Sequence, residues 1–316
     1  MVRRGDGRPV RSGAPRRIWI VLRCLLAAVA LTLAYGMLVG ARRIEVTRQE
    51  VPLAGLPRAL DGLRVVQLSD LHVCAMLQDG TIRRVVALVN AENPDLVLIT
   101  GDFVSYRSSG YLPAAAQELR ALRSRFGVFG CLGNHEHWEG VARVRPIVET
   151  GGVTVLVNES REVTNGLWIA AVDDLMSGQP NLPAATADLP EEAAVLLLSH
   201  NPVILSQVAE HPWLVLAGHT HGGQVALPFL GPRGTARLPV VPRLMYAWER
   251  LGVNFRHGRR DAIASYRYPA GWYGQGQARM YVNRGIGFNQ GWPVRLNCRP
   301  EITCFTLRAP RGPQSS

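Results

Sequence analysis

The chain has 316 residues and a mass of 34.6 kDa, enough for one large domain or two ordinary ones with a sizeable buried core. With 47% hydrophobic and 19% charged residues it is neither disordered nor fibrous, and five cysteines without a CxxC pair exclude a disulfide-rich scaffold and a thiolate zinc site. The formal charge of +11 raises nucleic acid as a partner, but +8 of it falls on residues 1–43, and all 35 basic residues are arginine, so a phosphate-binding groove on the body is not indicated.

Residues 1–17 form a basic N-terminus, expected on the cytoplasmic side. An uncharged run follows from Cys24 to Gly40 and extends back to Ile18 if Arg23 snorkels toward the headgroups. Residues 18–41 therefore read as a transmembrane helix or a signal sequence, since about 20 residues suffice to cross a hydrocarbon core of roughly 30 Å. Six arginines precede the run and only Arg42 and Arg43 follow closely, a bias that favours a cytoplasmic N-terminus and an extracytoplasmic body at the cell membrane. A retained anchor and a cleaved signal both remain open. Arg16-Arg17-Ile18-Trp19-Ile20 resembles a twin-arginine export signal, and Val39-Gly40-Ala41 carries the small residues a signal peptidase requires.

Residues 42–62, with Pro52 and Pro57, read as a linker into a catalytic domain over 63–309. Strands are expected at 63–70, 96–100 and 127–132, alternating with helices at 81–92, 113–124 and 138–149. Ile82, Val85, Val86 and Val89 carry the helical period in the first of these, and Asn93-Pro94 stops it. Strands at 153–157, around Val163 and at 167–172 are joined by turns that include Asn165-Gly166. Strands at 194–198 and 213–217 bracket a helix opening at Pro202, and further strands are expected at 279–283, 294–297 and 302–307. The pattern is α/β, with βαβ order in the first half and a mainly β tail. Residues 224–278 look irregular and surface-exposed, 233–277 within them an insertion, and 310–316 a disordered tail. Cys298 and Cys304 could pair in an oxidising compartment or remain two buried thiols.

Polar groups in open α/β sheets collect beyond the carboxyl ends of strands. Five such ends carry them here: Asp70-Leu71-His72, Gly101-Asp102, Gly133-Asn134-His135-Glu136, Ser199-His200-Asn201 and Gly218-His219-Thr220-His221. Singly each is a weak signal. As an ordered set they are hard to explain by packing, because burying so many polar groups in one cleft is costly without a compensating cation. Nitrogen and oxygen donors without thiolate point to manganese, iron or zinc. One cation cannot use so many donors, whereas two about 3.5–4 Å apart, bridged by a carboxylate, can, and such a pair supports phosphoryl chemistry.

The order DxH, GD, GNHE, H, GHxH resembles the calcineurin-like metallophosphoesterases from about Arg64 to Leu307. The contexts SDLH, GDFV, GNHE, LSHNP and GHTHGGQ, with RGIG and PVRLNCRPEIT in the tail, are most similar to the bacterial membrane-associated phosphodiesterase subfamily. That resemblance implies a four-layer αββα sandwich and two divalent metal ions. By it, Asp70, His72 and His221 would hold the first ion and Asn134, His200 and His219 the second, with Asp102 bridging. His135 would be the catalytic acid or transition-state stabiliser, oriented by a neighbouring acidic group. His137 and His211 read as surface or helix-end residues, and Cys74 as a packing thiol. Asn201 and Arg284 are weaker candidates for substrate phosphate.

The expected activity is hydrolysis of phosphodiester or pyrophosphate bonds at the membrane, on lipid-linked or sugar-nucleotide substrates such as UDP-diacylglucosamine. GDFVSY lacks the aspartate and arginine that follow GD in protein serine/threonine phosphatases, which argues against phosphoprotein. Two other classes stand beside this one. They are a metal-dependent nuclease, disfavoured by the low charge of the body, and a non-catalytic membrane-anchored metal-binding module.

Overall fold

A computed structural model describes residues 16–77, 80–238, 264–288 and 293–310. Most of the basic N-terminus, much of the 233–277 insertion and nearly all of the 310–316 tail lie outside these residues. The first element, α1 (Arg16–Leu38), is the expected apolar helix, and its side chains are almost all exposed, as a helix bound for lipid requires. It is long and apolar enough to cross a membrane.

The body is built on two six-stranded sheets. The first comprises β1 (Glu45–Pro52), β2 (Arg64–Leu68), β3 (Leu96–Thr100), β4 (Val128–Cys131), β5 (Val153–Val155) and the last strand of the chain, β12 (Glu301–Arg308). Their order is β1-β12-β2-β3-β4-β5, and β2 through β5 run parallel. The second comprises β6 (Glu159–Thr164), β7 (Leu167–Ala171), β8 (Ala194–Leu198), β9 (Leu214–Ala217), β10 (Gly271–Gln275) and β11 (Ala278–Val282), in the order β10-β11-β9-β8-β7-β6. Here β7, β8, β9 and β11 are parallel.

Period-two alternation divides each strand between two cores. Val65, Leu96, Leu98 and Phe129 of the first sheet meet Ile169, Leu196, Leu198 and Leu216 of the second in a core between the sheets. The opposite faces are covered by helices. Val66, Leu68, Val97 and Ile99 pack under α2 (Thr81–Ala91), α3 (Leu112–Leu119) and α5 (Val141–Thr150) through Val85, Val89, Leu119 and Val148. Val195, Leu197 and Val215 pack under α6 (Leu182–Thr186) and a 3-10 helix, Pro202–Gln207, through Ala185, Ile204 and Leu205. The result is the four-layer αββα sandwich that the resemblance implied. Strands buried on both faces are apolar throughout, which is why their abrupt polar ends stood out.

Several elements differ from expectation. The stretch read as a linker contributes β1, a polar edge strand parallel to β12 whose side chains are mostly half-exposed and so carry no apolar period. The single helix at 138–149 is two, α4 (Asn134–Glu139) and α5, because Gly140 at φ +93° turns the chain between them. The helix at 113–124 ends at Leu119, and the one at Pro202 is a 3-10 helix. Within the irregular stretch the structure forms α7 (Gly231–Ala236) and β10. Residues 294–297 make a single bridge, Val225 to Leu296, rather than a strand. All five cysteines are free.

Candidate metal centre

The parallel strands β2, β3, β4, β8 and β9 all point their carboxyl ends to one edge of the sandwich, so the five motifs meet there. The chain must turn sharply as it leaves each strand, and Asp70, His72, Asp102, His219 and His221 all sit in the left-handed backbone region, with φ between 45° and 72°. Each such residue costs of order 1–3 kcal/mol, a strain that recurs where side chains must be aimed at one point. Gly218 and Gly133 permit the approach, since a Cβ on either would overlap Asp70 or Asp102 respectively.

Three groups of donors lie within 4.8 Å of one another: Asp70, His72 and His221; His72, Asp102 and His135; and Asp102, His200 and His219. His72 Nε2 and His221 Nε2 stand 2.9 Å apart, and Asp70 Oδ1 is 3.9 and 3.3 Å from them. Asp102 Oδ2 is 3.4 Å from His72 Nε2 and 3.2 Å from His200 Nε2, so one carboxylate touches both ends of the cluster. Asn134 Oδ1 and His219 Nδ1 are each 3.2 Å from His200 Nε2. All eight residues singled out from the sequence thus converge, all but His135 and His219 deeply buried.

The donor set fits cations. His200 Nδ1 donates to the Thr100 carbonyl at 2.8 Å, which in the neutral ring leaves Nε2 with a lone pair. That lone pair faces two oxygens and an imidazole nitrogen, an arrangement of acceptors that needs positive charge at its centre. The same acceptors favour a proton on Nε2, which competes with a cation for that position. Burial alone would lower His200, but Asp102, Asp70 and Asp174 hold it well above the usual imidazole range. Burial, then the neighbouring imidazole His135, puts His72 well below it. Burial, then His72, does the same to His221, and burial with His200 brings His219 down to about 3. These three rings therefore keep free lone pairs at neutral pH. Burial pushes Asp70 up to about 6, whereas for Asp102 the pull of His200 and His135 outweighs burial and leaves it well below the ordinary carboxylate range.

Supporting contacts orient the donors. Ser69 Oγ donates to Asp70 Oδ2 at 2.5 Å, and the His219 amide donates to both Asp70 oxygens. Glu136 is fully buried and accepts from the amides of Asp102 at 2.9 Å, Gly133 at 2.8 Å and Val104 at 3.3 Å, pinning the β3 end to the start of α4. Burial, then Asp102, pushes its carboxyl up to about 8. Asp102 is the acidic group beside His135, accepting from its backbone amide at 3.0 Å, while Glu136 is spent on other backbone amides and His135 Nδ1 is buried without a hydrogen-bond partner among the described residues. Ring packing holds His135 instead, edge-on to His72 at 4.6 Å and tilted on Trp138 at 4.5 Å.

A sixth strand end was not singled out from the sequence. After β7, Asp173 pairs with His137 at 2.7 Å, half-burying a ring read as surface, and both line a cavity of about 480 Å³ beside the cluster's α4. Next to it, Asp174 is buried, accepts from the Met176 and Ser177 amides, and is pushed by burial up to about 6. The signal was present: two aspartates close the apolar run Leu167 to Val172. Of the weaker phosphate candidates Arg284 is occupied, whereas the Asn201 Nδ2 donor is buried without a hydrogen-bond partner among the described residues. Arg284 is paired with Glu301 at 2.9 Å and Glu45 at 2.8 Å, and Asn201 Oδ1 accepts from Val203 and Ser265.

Comparison with known proteins bears on this constellation. The family description "Calcineurin-like phosphoesterase" matches residues 63–236. An uncharacterised metallophosphoesterase of Bacillus subtilis, YkuE, is 32% identical over 90% of this chain and 94% of its own length. The phosphodiesterase YaeI of Escherichia coli is 32% identical over 77% of this chain and 82% of its own. The UDP-2,3-diacylglucosamine pyrophosphatase LpxG of Chlamydia trachomatis is 24% identical over 90% and 95%.

Proposed function

We propose that this chain, which belongs to the calcineurin-like phosphoesterase family and is a hydrolase of phosphoester bonds, cleaves phosphodiester or pyrophosphate linkages at a membrane. Asp70, His72 and His221 would hold one divalent cation and Asn134, His200 and His219 a second, with Asp102 shared. The observation that carries this reading is the Asp102 carboxylate lying 3.4 Å from His72 and 3.2 Å from His200. Manganese, iron and zinc all suit such donors. Bound there, the cations would supply Lewis acidity to the phosphoryl oxygens and lower the pKa of the attacking water.

The chain's own groups do the rest. His135 sits within reach of His72 and Asp102 and is held below the ordinary imidazole range by burial, so at neutral pH it is a neutral ring. It would donate its N–H to oxygen that gains charge in the transition state, rather than act as a free proton source. Asp70, Asp102 and the left-handed turns that carry them are set by Ser69 and Glu136 before substrate arrives. The name of LpxG supports a lipid-bearing pyrophosphate as one substrate class, and α1 supports action at a bilayer. The arginines before α1 favour a body outside the cytoplasm.

The purified full chain with manganese should hydrolyse bis-p-nitrophenyl phosphate in preference to the monoester and to single-stranded DNA. Asp102→Ala should abolish turnover, and His135→Ala should lower it by roughly 10²–10³-fold, as for a lost hydrogen-bond donor to transition-state charge. An active Asp102→Ala protein would sink the shared-carboxylate assignment, and preferential cleavage of DNA would favour the nuclease reading.

A further inference from the structure

The end of α1 is not a free tether. The Arg295 amide donates to the Gly36 carbonyl at 3.2 Å, and Gly36 and Gly40 have no Cβ where one would collide with Val294 or with the Arg295 carbonyl. Just beyond the helix, Ala41 is buried with Cys74, Leu77 and Phe288. Both contacts lead directly to the metal centre. Residues 294–296 pair with 224–226, immediately after His221, through the Leu296 amide to Gln224 and the Ala226 amide to Leu296. The Arg295 guanidinium, fully buried, donates to the carbonyls of Arg284 and Gly287 and lies 3.3 Å from His221 Nδ1. Cys74 and Leu77 follow His72 by two and five positions.

The helix fixes the depth of these contacts. Its 23 residues rise about 35 Å, slightly more than a hydrocarbon core of roughly 30 Å, so Gly36 to Arg43 lie where the bilayer meets water. Arg42 and Arg43 suit that level. Next in the chain to these docking contacts the body exposes large apolar side chains. Met76 stands between Cys74 and Leu77 with half its surface exposed. Leu227, Phe229 and Leu230 follow directly on the 224–226 segment, with Phe229 completely exposed. Scattered apolar side chains are ordinary on a protein surface, but these sit on the two segments that join the metal-ligand motifs to the end of the membrane helix.

We propose that Met76, Leu227, Phe229 and Leu230 enter the phospholipid bilayer that α1 spans. The metal centre then sits at headgroup level, and its substrate is a phosphoester in the headgroup of a lipid in that leaflet, cleaved without leaving the membrane. This rests on the phosphoesterase reading above and on α1 being retained. Apolar loops at the hydrocarbon boundary hold the mouth of the site against the lipid surface, and the contacts of Gly36, Gly40 and Arg295 keep it in register with the helix.

The test places the photo-crosslinker p-benzoylphenylalanine at position 229 of the full chain in phosphatidylethanolamine–phosphatidylglycerol vesicles. A control carries it at position 191, exposed on the opposite edge before β8. Lipid adducts at 229 and not at 191 are expected. No lipid adduct at 229, equal adducts at both, or adducts to another protein in place of lipid would overturn the proposal. In a second arm, the double variant Leu227→Ser, Phe229→Ser should lower the ratio of vesicle-borne lipid-diester turnover to bis-p-nitrophenyl phosphate turnover by about tenfold or more, since two buried apolar side chains are lost from the lipid. An unchanged ratio would overturn it. If the parent hydrolyses neither substrate, the phosphoesterase reading fails, and the crosslink still decides the membrane surface.

Discussion

Glu301 offers a sharp test of how the tail of the chain supports the metal centre. Its carboxylate accepts four hydrogen bonds: from Thr47 Oγ1 at 2.8 Å, Tyr281 OH at 2.6 Å, and the Arg284 side chain and amide at 2.9 and 3.2 Å. Burial would raise its pKa, but Arg284 outweighs it and holds the group below the ordinary carboxylate range. In Glu301→Gln the amide oxygen can face Arg284 while the two hydroxyls rotate to accept from the amide nitrogen, so the loss is chiefly that of charge, roughly 1–3 kcal/mol. Glu301→Leu strips a nearly buried guanidinium of its main partner, leaving Glu45, and should cost roughly 3–5 kcal/mol. Because the folded pKa is depressed, the stabilisation is complete above the unfolded carboxylate pKa of about 4.3 and is lost as pH falls through the folded value. Urea unfolding of the full chain in mild detergent should therefore show a constant gap between parent and Glu301→Gln above about pH 5.5, narrowing at lower pH. A gap that stays the same down to pH about 3, or no gap at neutral pH, would refute the reasoning.

Two further outcomes follow from the same contacts. Glu136→Ala leaves the buried amides of Asp102, Gly133 and Val104 without their acceptor, so it should lower unfolding stability by roughly 3–6 kcal/mol and diester turnover with it. Unchanged denaturation would contradict the pinning role. Gly40→Val places a side chain against the Arg295 carbonyl and should loosen the 294–296 segment, seen as faster proteolysis between α1 and β1 at a cost of about 1–3 kcal/mol. A cleavage rate equal to that of the parent would show that the helix end is not seated there.

The five strand ends could be read without a structure because strands buried on both faces are apolar runs whose ends are sharp, and because the donors they carry are chemically of one kind. Other features lacked such contrast. β1 is an edge strand with Arg48, Gln49 and Glu50 in its middle and shows no period. The α4–α5 break depends on the left-handed turn at Gly140, which a helical pattern spanning it hides. Asp173 and Asp174 were visible as residues but not as neighbours of the cluster, since pairing with His137 and the influence on His200 are properties of the assembled sheets. The role of Glu136 was hidden for a similar reason: it is adjacent to His135 in sequence, yet the first turn of α4 sends its carboxylate to three backbone amides.

The proposal that Asp70, His72, Asp102, Asn134, His200, His219 and His221 hold two cations is most directly tested by metal content. Inductively coupled plasma mass spectrometry on the full chain, saturated with manganese and freed of excess, should find two ions per chain, and Asp102→Asn should retain one or none. A parent that binds no manganese, iron or zinc under saturating conditions, or an Asp102→Asn protein that keeps both ions, would contradict a centre built around a shared carboxylate.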